Sequence, residues 1–310
     1  MKKIILDCDP GHDDMIAIIL ACASQELDLL GITTVAGNQT GEKTFNNAMK
    51  ILSLIGENQI PVIRGFDKPM LRDLTTSPNI HGDSGLDGAV LPDSTITPSD
   101  GHAVDFIIET IENTAEKTYI IATGPLTNIA VTLIKAPEIK KKIERIIIMG
   151  GALFDSNITP AAEFNFYVDP EAAKCVIDSG LPITLVTLDV SNKALFTWKD
   201  IEELKSWNGR VSFIIGSLLQ FFGQTCKDVF NLEGAPLHDP ITVSYAIDPE
   251  ILETRHLNVD IETISELTRG RTVVDVYGVT GKRPNADVSF KLDNEKFKTL
   301  IFDAIKKYDV

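Results

Sequence analysis

Leu6-Asp7-Cys8-Asp9-Pro10-Gly11-His12-Asp13-Asp14-Met15-Ile16 is the stretch that decides how this chain is read. Residues 2–6, just before it, form a short, apolar, β-prone run that predicts a buried strand. Pro10-Gly11 breaks that run with a turn. Residues 15–21 then predict a mostly buried helix, which places Asp13 and Asp14 in its first turn, where the helix dipole and free amides favour negative charge. Capping explains either aspartate alone. It does not explain four carboxylates within eight residues. Like charges so close repel and raise one another's pKa unless a cation or many donors compensate. A metal ion is the simplest compensation.

Outward from this stretch, strand and helix signals alternate. Residues 27–35 predict a strand closed by Ala36-Gly37-Asn38, 45–55 a helix, and 60–63 a short strand. Residues 64–99 are rich in Gly, Pro, Asp and Ser and show no periodicity, which in a loop of that length points to function or disorder. Further on, 103–111 and 126–134 predict helices, and 118–122 and 145–149 strands. Asp169-Pro170-Glu171 opens a helix through 177 in the cap-then-proline pattern. A strand at 183–188 and helices at 201–207 and 211–222 follow, and Asp239-Pro240 caps a helix to 246. Residues 254–262 and 272–278 alternate like a hairpin, 286–292 predict a strand and 295–307 a closing helix. Such alternation predicts one open, mostly parallel, Rossmann-like α/β sheet, with helices on both faces and a small hairpin added near the C-terminus. A single domain over 1–310 is expected. Ligands of such sheets sit beyond the carboxyl ends of the strands. The polar residues Asp7, Asp9, Asn38, Thr123, Asn157, Glu163 and Asn165 all follow strands at that end.

The formal net charge of −15 argues against nucleic acid or an anionic membrane as a partner, since both require clustered Lys and Arg. It suits a cation site or a neutral substrate. Cys8, Cys22, Cys175 and Cys226 are widely spaced with no C-x-x-C, so neither a zinc site nor a disulfide framework is indicated. Asp7 and Asp9 end the first apolar run too early for a signal peptide, and the run at 15–23 is too short to span a bilayer. A cytoplasmic protein is expected.

No G-x-G-x-x-G follows the first strand and no G-x-x-x-x-G-K-[ST] occurs, so dinucleotide and P-loop readings lack their glycines. A calcium loop of the EF-hand kind starting at Asp7 would need Gly and Glu where the chain has His12 and Ile18. A haloacid-dehalogenase-type aspartyl-phosphatase is the stronger rival, because Asp7-x-Asp9 after a strand could be nucleophile and acid. Gly82-Asp83-x-x-x-Asp87 imitates its later motif, yet stands too early, without a preceding strand or a suitable Lys.

Asp7-Cys8-Asp9-Pro10-Gly11-His12-Asp13-Asp14 resembles the N-terminal signature of the inosine-uridine-type nucleoside hydrolases. Further matches follow in family order. They are Gly37-Asn38, His81-Gly82 with Gly85-Leu86, Thr123-Gly124-Pro125-Leu126-Thr127-Asn128, Met149-Gly150-Gly151, and Asn157-x-Thr159-Pro160. Glu163-Phe164-Asn165 with Asp169-Pro170-Glu171-Ala172 and His238-Asp239-Pro240 complete the series. The usual member has Thr at the position of Cys8, a small-for-small change on the side away from the carboxylates. The resemblance implies an open α/β sheet and one Ca²⁺ that holds water against the ribose of a ribonucleoside. By motif, Asp9, Asp14 and Asp239 would be its carboxylate ligands and the Thr123 carbonyl a fourth, a sensible set for a hard cation. Asp9 would also be the general base, and His238 the acid that protonates the leaving base. Asp13, Asn38, Asn157, Glu163, Asn165 and Asp239 would hold the ribose, with Glu163 and Asn165 on one side of an extended segment. His81, Met149 and Phe164 would contact the substrate, and Asp7 would support its neighbours from behind. A homo-tetramer or homo-dimer is implied by the same analogy. A nucleoside- or calcium-binding protein without turnover is the non-enzymatic alternative.

Taken singly, several of these residues have plainer readings. Asp239 before Pro240 could only cap a helix, as Asp169 before Pro170 does. His81 could be an exposed loop histidine, Asn38 and Asn157 turn residues, Thr123 a helix cap, and Met149, Phe164 and Phe230 packing. His12, His102 and His256 are read as surface or packing residues. Base preference is expected to depend on how loop 73–91 and segment 222–237 close over the pocket.

Overall fold

Period-two alternation along the first strand sets the layers. In the computed structural model, which describes residues 1–309, β1 (Lys2–Cys8) sends Ile4, Leu6 and Cys8 into one apolar layer and Ile5 into the other. Full burial of each such side chain contributes roughly 1.5–3 kcal/mol. β2 (Leu27–Thr34), β3 (Val62–Arg64), β4 (Thr118–Ala122), β5 (Ile143–Met149) and β6 (Ile183–Val186) run parallel with β1 in one sheet. β7 (Leu195–Thr197) and β8 (Gly234–Pro236) pair separately. β9 (Leu252–Ile261), β10 (Thr272–Asp275) and β11 (Ala286–Leu292) extend the large sheet, whose order is β10-β9-β11-β6-β5-β4-β1-β2-β3.

The helices are α1 (His12–Ala23), α2 (Gly41–Ile55), α3 (Pro78–His81), α4 (Ala103–Asn113), α5 (Thr127–Lys135) and α6 (Phe164–Val168) in the first half. α7 (Pro170–Ile177), α8 (Leu188–Ser191), α9 (Trp198–Ser206), α10 (Arg210–Phe230), α11 (Pro240–Ile247) and α12 (Asn294–Tyr308) follow. α1, α2, α10, α11 and α12 cover the first apolar layer, and α4, α5 and α7 the second. Among the described residues, no helix is long and apolar enough to cross a membrane.

β1 lies between β2 and β4, so the strand order reverses beside it. In doubly wound sheets that reversal opens a crevice at the carboxyl ends of the strands. Asp7 and Asp9 end β1, and Thr123 follows β4 directly.

The expected C-terminal hairpin forms from β9 and β10 and lengthens the main sheet, since β9 also pairs antiparallel with β11 and β11 pairs parallel with β6. Two features depart from the sequence reading. α10 runs on to Phe230, so much of segment 222–237 is helix rather than loop. Phe222 and Cys226, one turn apart on its buried face, carry it forward. The β7–β8 pair has only three residues per strand and pairs residues far apart in sequence, which leaves no local signal.

Candidate active site

The turn after β1 is built to concentrate acid. Pro10-Gly11 ends the strand, and the Gly11 amide donates to the Asp14 carboxylate at 3.0 Å, fixing the first turn of α1. Asp7, Asp9 and Asp14 are completely buried and Asp13 nearly so. Oδ1 of Asp7 accepts from Thr33 Oγ1 at 2.5 Å and Asn128 Nδ2 at 2.7 Å, which ties β1 to its neighbour β2 and to α5. Asp9 Oδ2 accepts the Asn38 amide at 2.7 Å, whereas its Oδ1 is buried with no partner. Asp14 Oδ1 accepts from Thr123 Oγ1 at 2.8 Å. Gly37 makes this crowding possible, since a Cβ there would lie 2.2 Å from Asp9 Oδ2.

Asp239 arrives from the far end of the chain at the start of α11. Oxygens of Asp13, Asp14 and Asp239 all lie within 4.8 Å of one another. Burial pushes all these carboxyls above the ordinary range. It takes Asp7 and Asp13 to about 7, and the neighbouring charges of Asp14 and Asp13 add to the rise at Asp9 and Asp239 respectively. Buried carboxylates this close could hold a cation, and the donors present are all oxygen, as hard divalent ions require. No Lys or Arg is among the described residues lining the cavity above them.

That cavity has a volume of about 270 Å³, near the lower end of small-molecule sites, which run from about 300 Å³ upward. Asp13, Asn38, His81, Thr123, Met149, Asn157, Glu163, Phe164, Asn165, His238 and Asp239 all line it, as the sequence reading places them. Asp9, Asp14 and Asp7 lie behind its wall. The three carboxylates closest together include Asp13, which the resemblance assigns to ribose, and do not include Asp9.

Glu163 and Asn165 do not share an extended segment. Glu163 caps α6, accepting the amides of Asn165 at 2.8 Å and Phe166 at 3.2 Å, and that of Gly151 at 2.8 Å. Asn165 sits inside α6 and donates through Nδ2 to the carbonyls of Thr123 (2.7 Å) and Met149 (3.2 Å). A one-turn helix has no periodicity to betray it. Asn157 Oδ1 is a second buried acceptor without a partner. His238 is held through Nδ1 by Ser191 Oγ at 2.7 Å, and burial pushes its imidazole down to about 4.

Several residues escape the sequence reading. His12, taken there for surface or packing, is fully buried against His81. Ser191 lies on α8 with nothing local to mark it. Asn128 stands in the Thr123-to-Asn128 motif, but its bond to Asp7 depends on a fold in three dimensions. His81 is 6% exposed and part of the cavity wall, which removes its reading as an exposed loop histidine. His102 caps α4 and His256 is exposed against Asp287, as surface or packing residues do.

Residues 4–299 match the family model described as inosine-uridine preferring nucleoside hydrolase. The chain is 47% identical over 306 residues to the pyrimidine-specific ribonucleoside hydrolase RihA of Escherichia fergusonii, covering 98% of each chain. The RihA of Shigella flexneri matches to the same extent. Among solved structures, a purine-preferring ribonucleoside hydrolase from Gardnerella vaginalis superposes with a TM-score of 0.93 at 34% identity, over 99% of both chains. A plant nucleoside hydrolase, PpNRh1, superposes with a TM-score of 0.92 at 30% identity over 98% of both. With the family model matched over nearly its whole length and relatives of this identity, the chain belongs to the inosine-uridine preferring nucleoside hydrolase family.

Proposed function

We propose that this chain, acting as one domain over 1–310, hydrolyses the N-glycosidic bond of ribonucleosides to free base and ribose, with pyrimidine nucleosides as preferred substrates. The carrying observation is the buried carboxylate cluster at the cavity floor with His238 on the cavity wall. The name of the 47%-identical relative supports the pyrimidine preference.

Ca²⁺ fits the donor set, with the carboxylates of Asp9, Asp14 and Asp239 and the Thr123 carbonyl holding it. When bound, such an ion neutralises the cluster and makes a water more acidic. Asp9 is the base: Oδ2 is anchored by the Asn38 amide, and the partnerless Oδ1 is free to take the proton of the attacking water. Asp13, Asn38, Asn157, Glu163 and Asn165 hold the ribose, the bare Oδ1 of Asn157 accepting from a sugar hydroxyl. Rigid positioning favours the oxocarbenium-like transition state of glycoside cleavage. The contact between Nδ1 and Ser191 Oγ holds the His238 ring and leaves Nε2 for the departing base. Burial keeps the resting ring neutral, so to act as the acid it takes up one proton from solvent, donates its Nδ1–H to Ser191 Oγ as the imidazolium, and returns to the neutral form when the Nε2 proton passes to the departing base. By family likeness the enzyme is a cytoplasmic homo-dimer or homo-tetramer, which light scattering on the purified protein measures.

The test is release of reducing sugar from uridine, cytidine and inosine by purified protein supplied with calcium. Uridine and cytidine should turn over fastest and without free phosphate. No reducing sugar from any ribonucleoside would overturn the proposal, and phosphate from a phosphomonoester would revive the aspartyl-phosphatase reading.

A further inference from the structure

His12 takes no part in the steps above, yet it is fully buried against the cavity wall. Its ring stacks on Phe222 at 5.2 Å between centroids and on His81 at 5.4 Å. Its Nε2 lies 2.8 Å from the carbonyl oxygen of Asp87, and its Nδ1 lies 3.2 Å from Nδ1 of His81.

These contacts favour one placement of the hydrogens. A carbonyl only accepts, so Nε2 of His12 carries a hydrogen. No carboxylate touches either ring nitrogen, since the Asp87 carboxylate is turned onto the amides of Asp83 and Ser84 at 3.0 Å each. A buried imidazole without a counter-charge is neutral, which leaves Nδ1 of His12 a bare acceptor. Two bare nitrogens facing each other at 3.2 Å would repel, so Nδ1 of His81 carries a hydrogen and donates it to His12. The backbone amide of His12 donates toward the same His81 Nδ1 at 3.4 Å and competes with the ring–ring contact, but favouring it would leave either two bare ring nitrogens at 3.2 Å or a bare His12 Nε2 against the Asp87 carbonyl at 2.8 Å. Gly11 permits the approach, because a Cβ there would sit 2.7 Å from His81 Nδ1. His81 therefore has no hydrogen on Nε2, and that atom has no hydrogen-bond partner among the described residues although His81 lines the cavity.

We propose that His12 is a positioning residue for substrate selection: by accepting the Nδ1 hydrogen of His81 it locks one tautomer, so that His81 offers a bare Nε2 to bases that present an N–H at that edge. The proposal rests on the ribonucleoside reading for its substrate, not for its geometry.

The test combines nitrogen-15 NMR of histidine-labelled protein with kinetics on wild type, His12→Phe and His12→Asn. Phenylalanine keeps the stack and removes both ring nitrogens, whereas asparagine restores an acceptor near His81. With five histidines in the chain, His81→Ala assigns the signal. In wild type, the hydrogen of His81 should be on Nδ1. His12→Phe should shift it toward Nε2 and raise KM for uridine and cytidine by about tenfold, the effect of one buried hydrogen bond. kcat on an aryl riboside, whose leaving group has no N–H, should be unchanged. His12→Asn should recover both tautomer and KM. A wild-type His81 protonated on Nε2, or a His12→Phe variant with unchanged tautomer and KM, would overturn the proposal. The tautomer is read without substrate, so absence of turnover in wild type would overturn the hydrolase reading alone.

Discussion

Asp169-Pro170 and Asp239-Pro240 are the same dipeptide at the start of a helix, and the fold treats them in opposite ways. At Asp169 the backbone is outside the helical region and the side chain folds back as a cap. It accepts the Ala172 amide at 3.1 Å, the Met70 amide at 2.8 Å and Thr127 Oγ1 at 2.6 Å. At Asp239 the backbone is already helical, with φ −69° and ψ −41°, and no amide of α11 is capped by its side chain. A capping residue needs non-helical geometry for its oxygen to reach the next amides. Asp239 lacks that geometry, so its carboxylate is free to face Asp13 and Asp14. One aspartate is spent on structure, and the other is withheld from it. Conformation at the helix start, more than residue identity, separates a cap from a ligand.

Removing only the charge breaks the comparison most directly. Asp239→Asn should lower turnover by more than the ~10²–10⁴-fold that loss of a general acid costs, while the metal-free protein unfolds at the same temperature as wild type or higher. Thermal melting with EDTA beside steady-state kinetics reads both, and a large stability loss would make Asp239 structural after all. The residues just before the two dipeptides sharpen the contrast, since Val168 is core and His238 faces the cavity. His238→Ala should cost ~10²–10⁴-fold on uridine and leave a riboside with an activated leaving group nearly unaffected. Equal losses on both substrates would remove His238 from the acid role.

Calcium should distinguish the sites without any chemistry. At a hundredfold excess over its Kd it should stabilise wild type by about 2.7 kcal/mol, and Asp169→Asn equally, but Asp239→Asn much less. Calcium-independent melting of the wild type would exclude the cluster as its site. The smallest effect belongs to Asp169→Asn itself. It should destabilise by about 1–3 kcal/mol by leaving a buried donor unpaired, with kcat of the folded enzyme within about threefold of wild type.

How far the sequence reaches follows the same division between local and distant. The strand–turn–helix at the N-terminus is legible because apolar runs and Pro10-Gly11 act locally, and β1 and α1 form there. The alternation gives the parallel sheet for the same reason. Asp239 is legible only through the family motif, since its own surroundings in sequence read as a cap. The pairing of Asp7 with Asn128, and of His238 with Ser191, joins residues from separate elements and has no signature in spacing. His12 is read no further than surface or packing because Phe222 and His81, which bury it, arrive from elsewhere in the chain. The extended segment expected at Glu163 becomes a helix because Glu163 itself caps two of its amides, those of Asn165 and Phe166.

The position of β1 between β2 and β4 has a consequence for how the chain is made. As it emerges during synthesis, the acidic turn comes first, Asn38 and Thr123 come much later, and Asp239 enters only near the end. Until α11 docks, Asp13 and Asp14 lack the third carboxylate of the cluster, Asp239. Contacts this distant in sequence form late and slowly. The site is therefore a product of completed folding, and a nascent chain stalled before His238 holds most of the sheet yet no reaction centre.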